Sequence, residues 1–169
     1  MQIFVTSNCP IKSAEALDDL RLNKMILESC QILSTSLWIN KVKGPYKKTH
    51  ENHPIVLWTS RNYKNYLWVL DHFISLLEER RYRTGKSHKC RDHLYYLTSM
   101  RSKIPIKTEI REPFVNCSLY KDNPNVIKAY RDTLEYKWKN DKKNPNWTGK
   151  EAPTWSSYFN VSFIENFNL

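Results

Sequence analysis

From Ala14 to Trp38 apolar side chains recur at helical spacing, through Leu17, Leu20, Met25, Ile26, Ile32, Leu33 and Leu37. This pattern predicts one long or kinked helix with a buried face. A second run, Ile55, Leu57 and Trp58 followed by Tyr66, Leu67, Val69, Leu70, Phe73, Ile74 and Leu77, is the most hydrophobic stretch and predicts the central buried helix. Pro54 suits its first turn, where an N–H would have no intrahelical partner, and Gly85 suits its C-cap after Arg80, Arg81 and Arg83. A shorter amphipathic helix is expected from His88 to Met100. A last one begins at Asn123-Pro124, as cap and first residue, and runs through Val126, Tyr130, Leu134 and Trp138. Between them, 41–50 and 101–122 read as loops around Gly44-Pro45, Pro105 and Pro113. The apolar start MQIFVTS fits an extended segment lying on the core, and the aromatic-rich residues 140–169 fit an irregular tail wrapped over the helices. The expected fold is mostly α: a single compact helical domain over 1–169 with an extended N-terminal segment.

Composition narrows the class. A chain of 169 residues with 40% hydrophobic and 26% charged residues has the size and content of one folded domain, which buries roughly 70% of its unfolded surface. No run of 18 apolar residues exists, and the N-terminus lacks a basic leader with an apolar stretch, so a membrane is not expected as partner and the cytoplasm is the expected location. Lys and Arg number 27 against 17 acids, a formal charge of +10 that attracts polyanions, nucleic acid first among them. A generically basic surface is the plain alternative.

The sharpest charge feature is RRYRTGKSHKCR, residues 80–91, with six Lys or Arg and no acid. At a helix end and the following turn, Arg80, Arg81, Arg83, Lys86, His88 and Lys89 can converge on phosphates; alternatively they only neutralise the helix dipole and Glu78 and Glu79. The loop 41–48 and the segment 137–143 would extend that footprint. Trp38, Trp68 and Trp138 read as core, with Trp58, Trp147 and Trp155 open. His50 and His53 form an H-x-x-H pair without a third ligand, so no metal and no cofactor are expected; His53, before Pro54, suits an anion contact at a helix start. Cys9, Cys30, Cys90 and Cys117 lack any CxxC spacing and read as reduced thiols. Glu28 is the acid–base candidate, a carboxylate in KMILESCQIL otherwise headed for the core. It is either paired with Arg21 or Lys24 or poised in a cleft. Arg21, Lys24 and His53 join the basic turn in the expected nucleic-acid footprint.

With these residues in view, the chain resembles the pyrimidine-dimer DNA glycosylases with AP-lyase activity, the endonuclease V type of T4-like phages. The resemblance lies in MQIFV, DLRLNKMILESCQIL, HPIVLW, YLWVLDHFISLLEERRYRTGK and PTWSSYF, about a third of the chain. It implies a helical protein, phage-encoded and working in the host cytoplasm, that binds double-stranded DNA and displaces a nucleotide. In such enzymes the N-terminal amine attacks C1′ to give an imine, and a Glu on the first long helix assists glycosidic cleavage and β-elimination. Here the resemblance implies the amine of Met1 as nucleophile, because Gln2 is bulky and removal of the methionine is not expected. The family's carboxylate tends to follow an Arg directly, whereas Arg21 is followed by Leu22. Glu28 is therefore assigned by position, with Asp18 or Asp19 as substitutes. Two other functions fit the same residues: a non-enzymatic DNA-binding accessory or inhibitor protein, and a base-modifying transferase, for which the 3 glycines supply no cosubstrate loop.

Overall fold

The computed structural model describes residues 2–159, and among these six α-helices and no strand occur. In order they are α1 (Pro10–Glu15), α2 (Asp19–Ile39), α3 (Pro54–Arg61), α4 (Tyr63–Thr84), α5 (Leu94–Ser99) and α6 (Val126–Asn140). Helix α4 packs against both α1 and α2, and α3 closes on α2. A single apolar cluster runs from Ile3, Phe4 and Val5 through these helices to Trp147 and Ala152.

Where the spacing predicts one helix from Ala14 to Trp38, there are two, broken at Ala16–Asp18. The break is stabilised because side chains take over the orphaned backbone groups. Arg83 donates to the Glu15 and Leu17 carbonyls, the Trp147 indole N–H donates to the Ala16 carbonyl, and Asp18 caps α2 by accepting from the Arg21 N–H. Restarting the helix at Asp19 rephases it. Leu22, Met25 and Ile26 turn inward, while Leu20, which the pattern assigns to the core, is 68% exposed.

The expected central helix is likewise divided, by Asn62 in extended conformation. Its side-chain oxygen accepts from the Lys64 N–H, and its amide nitrogen donates to Thr108 Oγ1 and the Ile110 carbonyl. Three-sided anchoring of one Asn thus replaces the usual Gly or Pro breaker. The other end is as expected: Gly85 closes α4 at φ 69°, with its N–H on the Arg81 carbonyl.

Two further boundaries differ. Residues 88–103 form α5 flanked by single tight turns at Lys89–His93 and Met100–Lys103, because His88 Nδ1 accepts from the Cys90 N–H and starts a short 3₁₀ turn. The cap of α6 is Asn125 rather than Asn123, with Asn125 Oδ1 accepting from the Lys128 N–H; Asn123 in turn accepts from Asn125. Gly44 is fixed by packing, since a Cβ there would collide with the Ser34 backbone of α2.

Residues 141–159 are irregular, as expected of the tail, and clasp the start of α2. Trp138 meets Trp147 edge-on at 5.0 Å and stacks on Trp155 at 5.8 Å, and its indole N–H donates to Asp18 Oδ1 at 2.7 Å. The remainder of the expected tail, 160–169, and Met1 lie outside the described residues.

Candidate active site

Positioning begins with the extended segment after the chain start. Ile3, Phe4 and Val5 are buried, Phe4 packs edge-on against Tyr130 of α6 at 6.3 Å, and Arg131 of α6 donates to the Thr6 carbonyl at 3.0 Å. So α6 clamps this segment from one side. On the other side Glu28 of α2 accepts from the Gln2 N–H at 2.6 Å, a distance typical of a charge-assisted bond.

Glu28 lines a cavity of 330 Å³ together with Gln2, Phe4, Leu20, Arg21, Lys24, Met25, Lys137 and Asp141. Its side chain is 15% exposed, and Lys24 Nζ stands 3.6 Å from Oε1, one helical turn earlier. Both expectations for this carboxylate therefore hold at once: it is paired with Lys24 and it faces a cleft. The cleft carries two carboxylates, Glu28 and the Arg21-bound Asp141, two ammonium groups and a guanidinium on a partly apolar floor of Phe4 and Met25. Such a set can stabilise cationic charge, exchange protons and hold phosphate.

The substitute acids are placed otherwise. Asp18 is buried and takes hydrogen bonds from Arg21 and Trp138. Asp19 accepts from Arg83, Asn146 and Thr148. Burial alone would raise the Asp19 pKa, but the hydrogen bonds of Thr148 and Arg83 and the Arg83 charge outweigh it and hold the carboxyl below its ordinary value. Of Asp18, Asp19 and Glu28, only Glu28 lines the cavity.

His53 caps α3: its Nδ1 accepts from the Ile55 N–H at 3.3 Å, so the neutral ring carries its proton on Nε2. Burial, reinforced by the charge of His50 and opposed by Glu28, lowers its pKa and favours that neutral form. The interaction with Glu28 places His53 within electrostatic reach of the cleft.

The cations of the basic turn divide by environment. Arg83 has a side chain with 0% exposure, bonded to Glu79, Asp19 and two carbonyls; it holds the α1–α2 break together. Arg80 is half-buried and donates to Asn23 Oδ1, beside Lys24. Arg21 is buried between Asp18 and Asp141, at 3.1 and 2.7 Å. His88 is half-buried with its Nδ1 used by Cys90. Arg81, Lys86 and Lys89 are exposed. Because Arg80 and Arg83 bind α2 residues at its first turns, the turn lies at the same end of α2 as Arg21 and Lys24.

Sequence reasoning misses the Gln2 amide, Phe4 and Leu20 as cleft residues, and takes Lys137 only as part of a basic run. The 26-residue separation of Gln2 and Glu28 carries no local signal. Among the described residues no group of three or more His, Cys, Asp or Glu side chains is placed to hold a metal ion, and no helix is long and apolar enough to cross a membrane.

Residues 1–92, which span α1 to α4 and the basic turn, match the family model described as pyrimidine dimer DNA glycosylase. No curated protein and no solved structure matches the chain.

Proposed function

The chain belongs to the pyrimidine dimer DNA glycosylase family, and from that premise we propose that it excises a damaged pyrimidine from double-stranded DNA and then cleaves the abasic strand as a lyase. The nucleophile is the Met1 amine and the acid–base group is Glu28. The observation that carries this reading is the 2.6 Å hydrogen bond from the Gln2 N–H to Glu28 inside the cleft. That bond sets the Glu28 carboxylate against the chain's second residue, the sequence neighbour of the amine that this reading makes the nucleophile.

An unperturbed α-amine titrates near pH 8, to within about half a unit, so a useful fraction is neutral at cellular pH. The neutral nitrogen donates its electron pair to C1′, and the glycosidic bond breaks with its electrons on the departing base, which takes up a proton. Loss of a proton from nitrogen and opening of the sugar ring leave an imine. Glu28 faces the positive charge that develops on the sugar during the first step. It then removes a proton from C2′, the C3′–O bond breaks by β-elimination, and water hydrolyses the imine to return the amine. Lys24, Lys137, Arg81, Lys86 and Lys89 supply phosphate contacts, and His53 offers its Nε2–H to a phosphate oxygen. Arg21 and Arg83 act from within the fold, holding α2 in place.

Borohydride reduction of the protein mixed with abasic or ultraviolet-irradiated duplex tests the proposal by trapping the imine. Wild type is expected to form the adduct. Glu28→Gln, which preserves size and a hydrogen-bond acceptor, is expected to slow strand cleavage by about 10²–10⁴-fold while DNA binding persists. Strand cleavage by Glu28→Gln at the wild-type rate would remove Glu28 from the chemistry.

A further inference from the structure

Two thiols that the proposed chemistry does not use meet where the basic turn rejoins the core. Cys30 belongs to α2, two residues after Glu28, and Cys90 belongs to the 3₁₀ turn Lys89–His93, which packs against α2; both are buried in the one apolar cluster. Buried free cysteines are common, and most do nothing but pack. This pair differs because its sulfurs touch. The Cys30 thiol donates a hydrogen bond to Cys90 Sγ, and the Tyr46 hydroxyl stands 3.4 Å from the same sulfur.

The surroundings give the two sulfurs different parts. Hydrogen bonds from Cys30 and then Tyr46, with His88 nearby, stabilise the Cys90 anion; they outweigh burial and hold this thiol below its ordinary value. Cys30 moves the other way, since the bond to Cys90 and burial both raise it, and so it keeps its proton. A thiolate to attack beside a thiol to resolve is the arrangement that reversible sulfur oxidation needs. The route from solvent is short. Tyr46 packs edge-on against His93 at 5.1 Å, and His93 walls a surface hollow of 410 Å³ with Lys43, Gly44, Pro45 and Tyr96, ample for a peroxide molecule. The other two thiols lie elsewhere, Cys9 at the cap of α1 and Cys117 against Tyr130 of α6.

We infer that Cys30 and Cys90 are a reversible dithiol–disulfide pair, closed by hydrogen peroxide and opened by a small thiol, whose closed form fastens the stretch after the basic turn to α2. The Cys90 thiolate attacks one peroxide oxygen, the O–O bond breaks, and the other oxygen leaves as hydroxide and takes up a proton to become water. The Cys30 sulfur then attacks the sulfenic acid so formed. The S–S bond forms, the S–O bond breaks, and the Cys30 proton joins the departing hydroxide as a second water. Both sulfurs are oxidised and the peroxide is reduced. In the reduced protein Arg80 on Asn23 and Arg83 on Asp19 hold this region to α2, and the disulfide adds a covalent tie between residues 60 positions apart. The pair is independent of any action on DNA.

The test treats the folded full-length protein with hydrogen peroxide, blocks the remaining thiols with N-ethylmaleimide in denaturant, and reads tryptic peptides by mass spectrometry without reductant. Peptide 25–41 is expected joined to the peptide that bears Cys90, lighter than their sum by two hydrogens, with Cys9 and Cys117 carrying the maleimide; dithiothreitol is expected to restore both thiols. Cys30→Ser is expected to leave Cys90 as a sulfenic acid captured by dimedone, and Cys90→Ser to leave Cys30 as a free thiol. The disulfide form is expected to melt about 5–10 °C above the reduced form. Maleimide on both Cys30 and Cys90 after peroxide, a bridge to Cys9 or Cys117 instead, or a Cys30–Cys90 bridge that forms only in urea would overturn the pair. A disulfide form that melts no higher than the reduced one would overturn the fastening.

Discussion

At the scale of single residues, the same side-chain type serves opposite ends according to burial. Arg83 and Arg81 lie two positions apart in one basic run, but Arg83 is enclosed by Glu79 and Asp19 whereas Arg81 is in solvent. Removing one partner of a buried ion pair leaves the other charge desolvated and unmatched, which costs about 3–5 kcal/mol. Arg83→Met is therefore expected to lower stability by that amount, read by denaturant unfolding. Arg81→Ala is expected to leave stability unchanged within about 0.5 kcal/mol and to lower the salt dependence of DNA binding by about one counterion. Equal stability of the two variants would contradict the division.

Charge density is legible from the letters, but that division is not, because RRYRTGK contains nothing to say which Arg meets Asp19 some 64 residues earlier. Glu28 is legible for a different reason: a carboxylate within an apolar helical face has to be paired, functional or both, and here it is paired with Lys24 and open to the cleft. The Gln2 amide escapes because a backbone N–H has no side-chain signature.

Helices show the same limit at the next scale. Their existence and type follow from periodicity, and Gly85 ends α4 where the sequence calls for a left-handed residue. The two internal breaks do not follow, since Asn62 and the Ala16–Asp18 link are held by partners from distant segments: Thr108, Ile110, Arg83 and Trp147. That is also why Leu20 lies on the opposite side from the one its spacing suggests.

One contact between elements carries a pH dependence. His72 of α4 is fully buried, stacks on Trp68 at 5.3 Å and bonds through Nδ1 to the Pro10 carbonyl that opens α1. Burial pushes its pKa down from 6.5 to about 4, with the bond to Pro10 opposing. The unfolded chain then takes up a proton before the folded one does. Stability from this group is full above pH 6.5 and is lost as pH falls toward 4, by about 3 kcal/mol in total. Thermal unfolding between pH 4 and 7 is expected to show that slope in wild type and a shallower one in His72→Phe, where no proton can bind. Identical slopes would show that His72 does not titrate on unfolding.

For the whole molecule, the arrangement joins three separate parts of the chain along the first half of α2. The extended start is clamped between α2 and α6, the basic turn is pinned to the first turns of α2 by Arg80 and Arg83, and the tryptophan clasp of Trp138 and Trp147 holds the link before α2. A net charge of +10 draws DNA toward the protein generally, and in the proposed function this junction is where the sugar is placed. The cleft holds other amines that could compete for that role: Lys24 is 3.6 Å from Glu28, and Lys137 lines the same cavity. Locating the adduct distinguishes them. After borohydride trapping on abasic duplex DNA and proteolysis, mass spectrometry is expected to find the reduced sugar on the α-nitrogen of the Met1 peptide. Attachment to Lys24 or Lys137, or no attachment at all, would contradict the central claim that the chain-start nitrogen and Glu28 work as a pair.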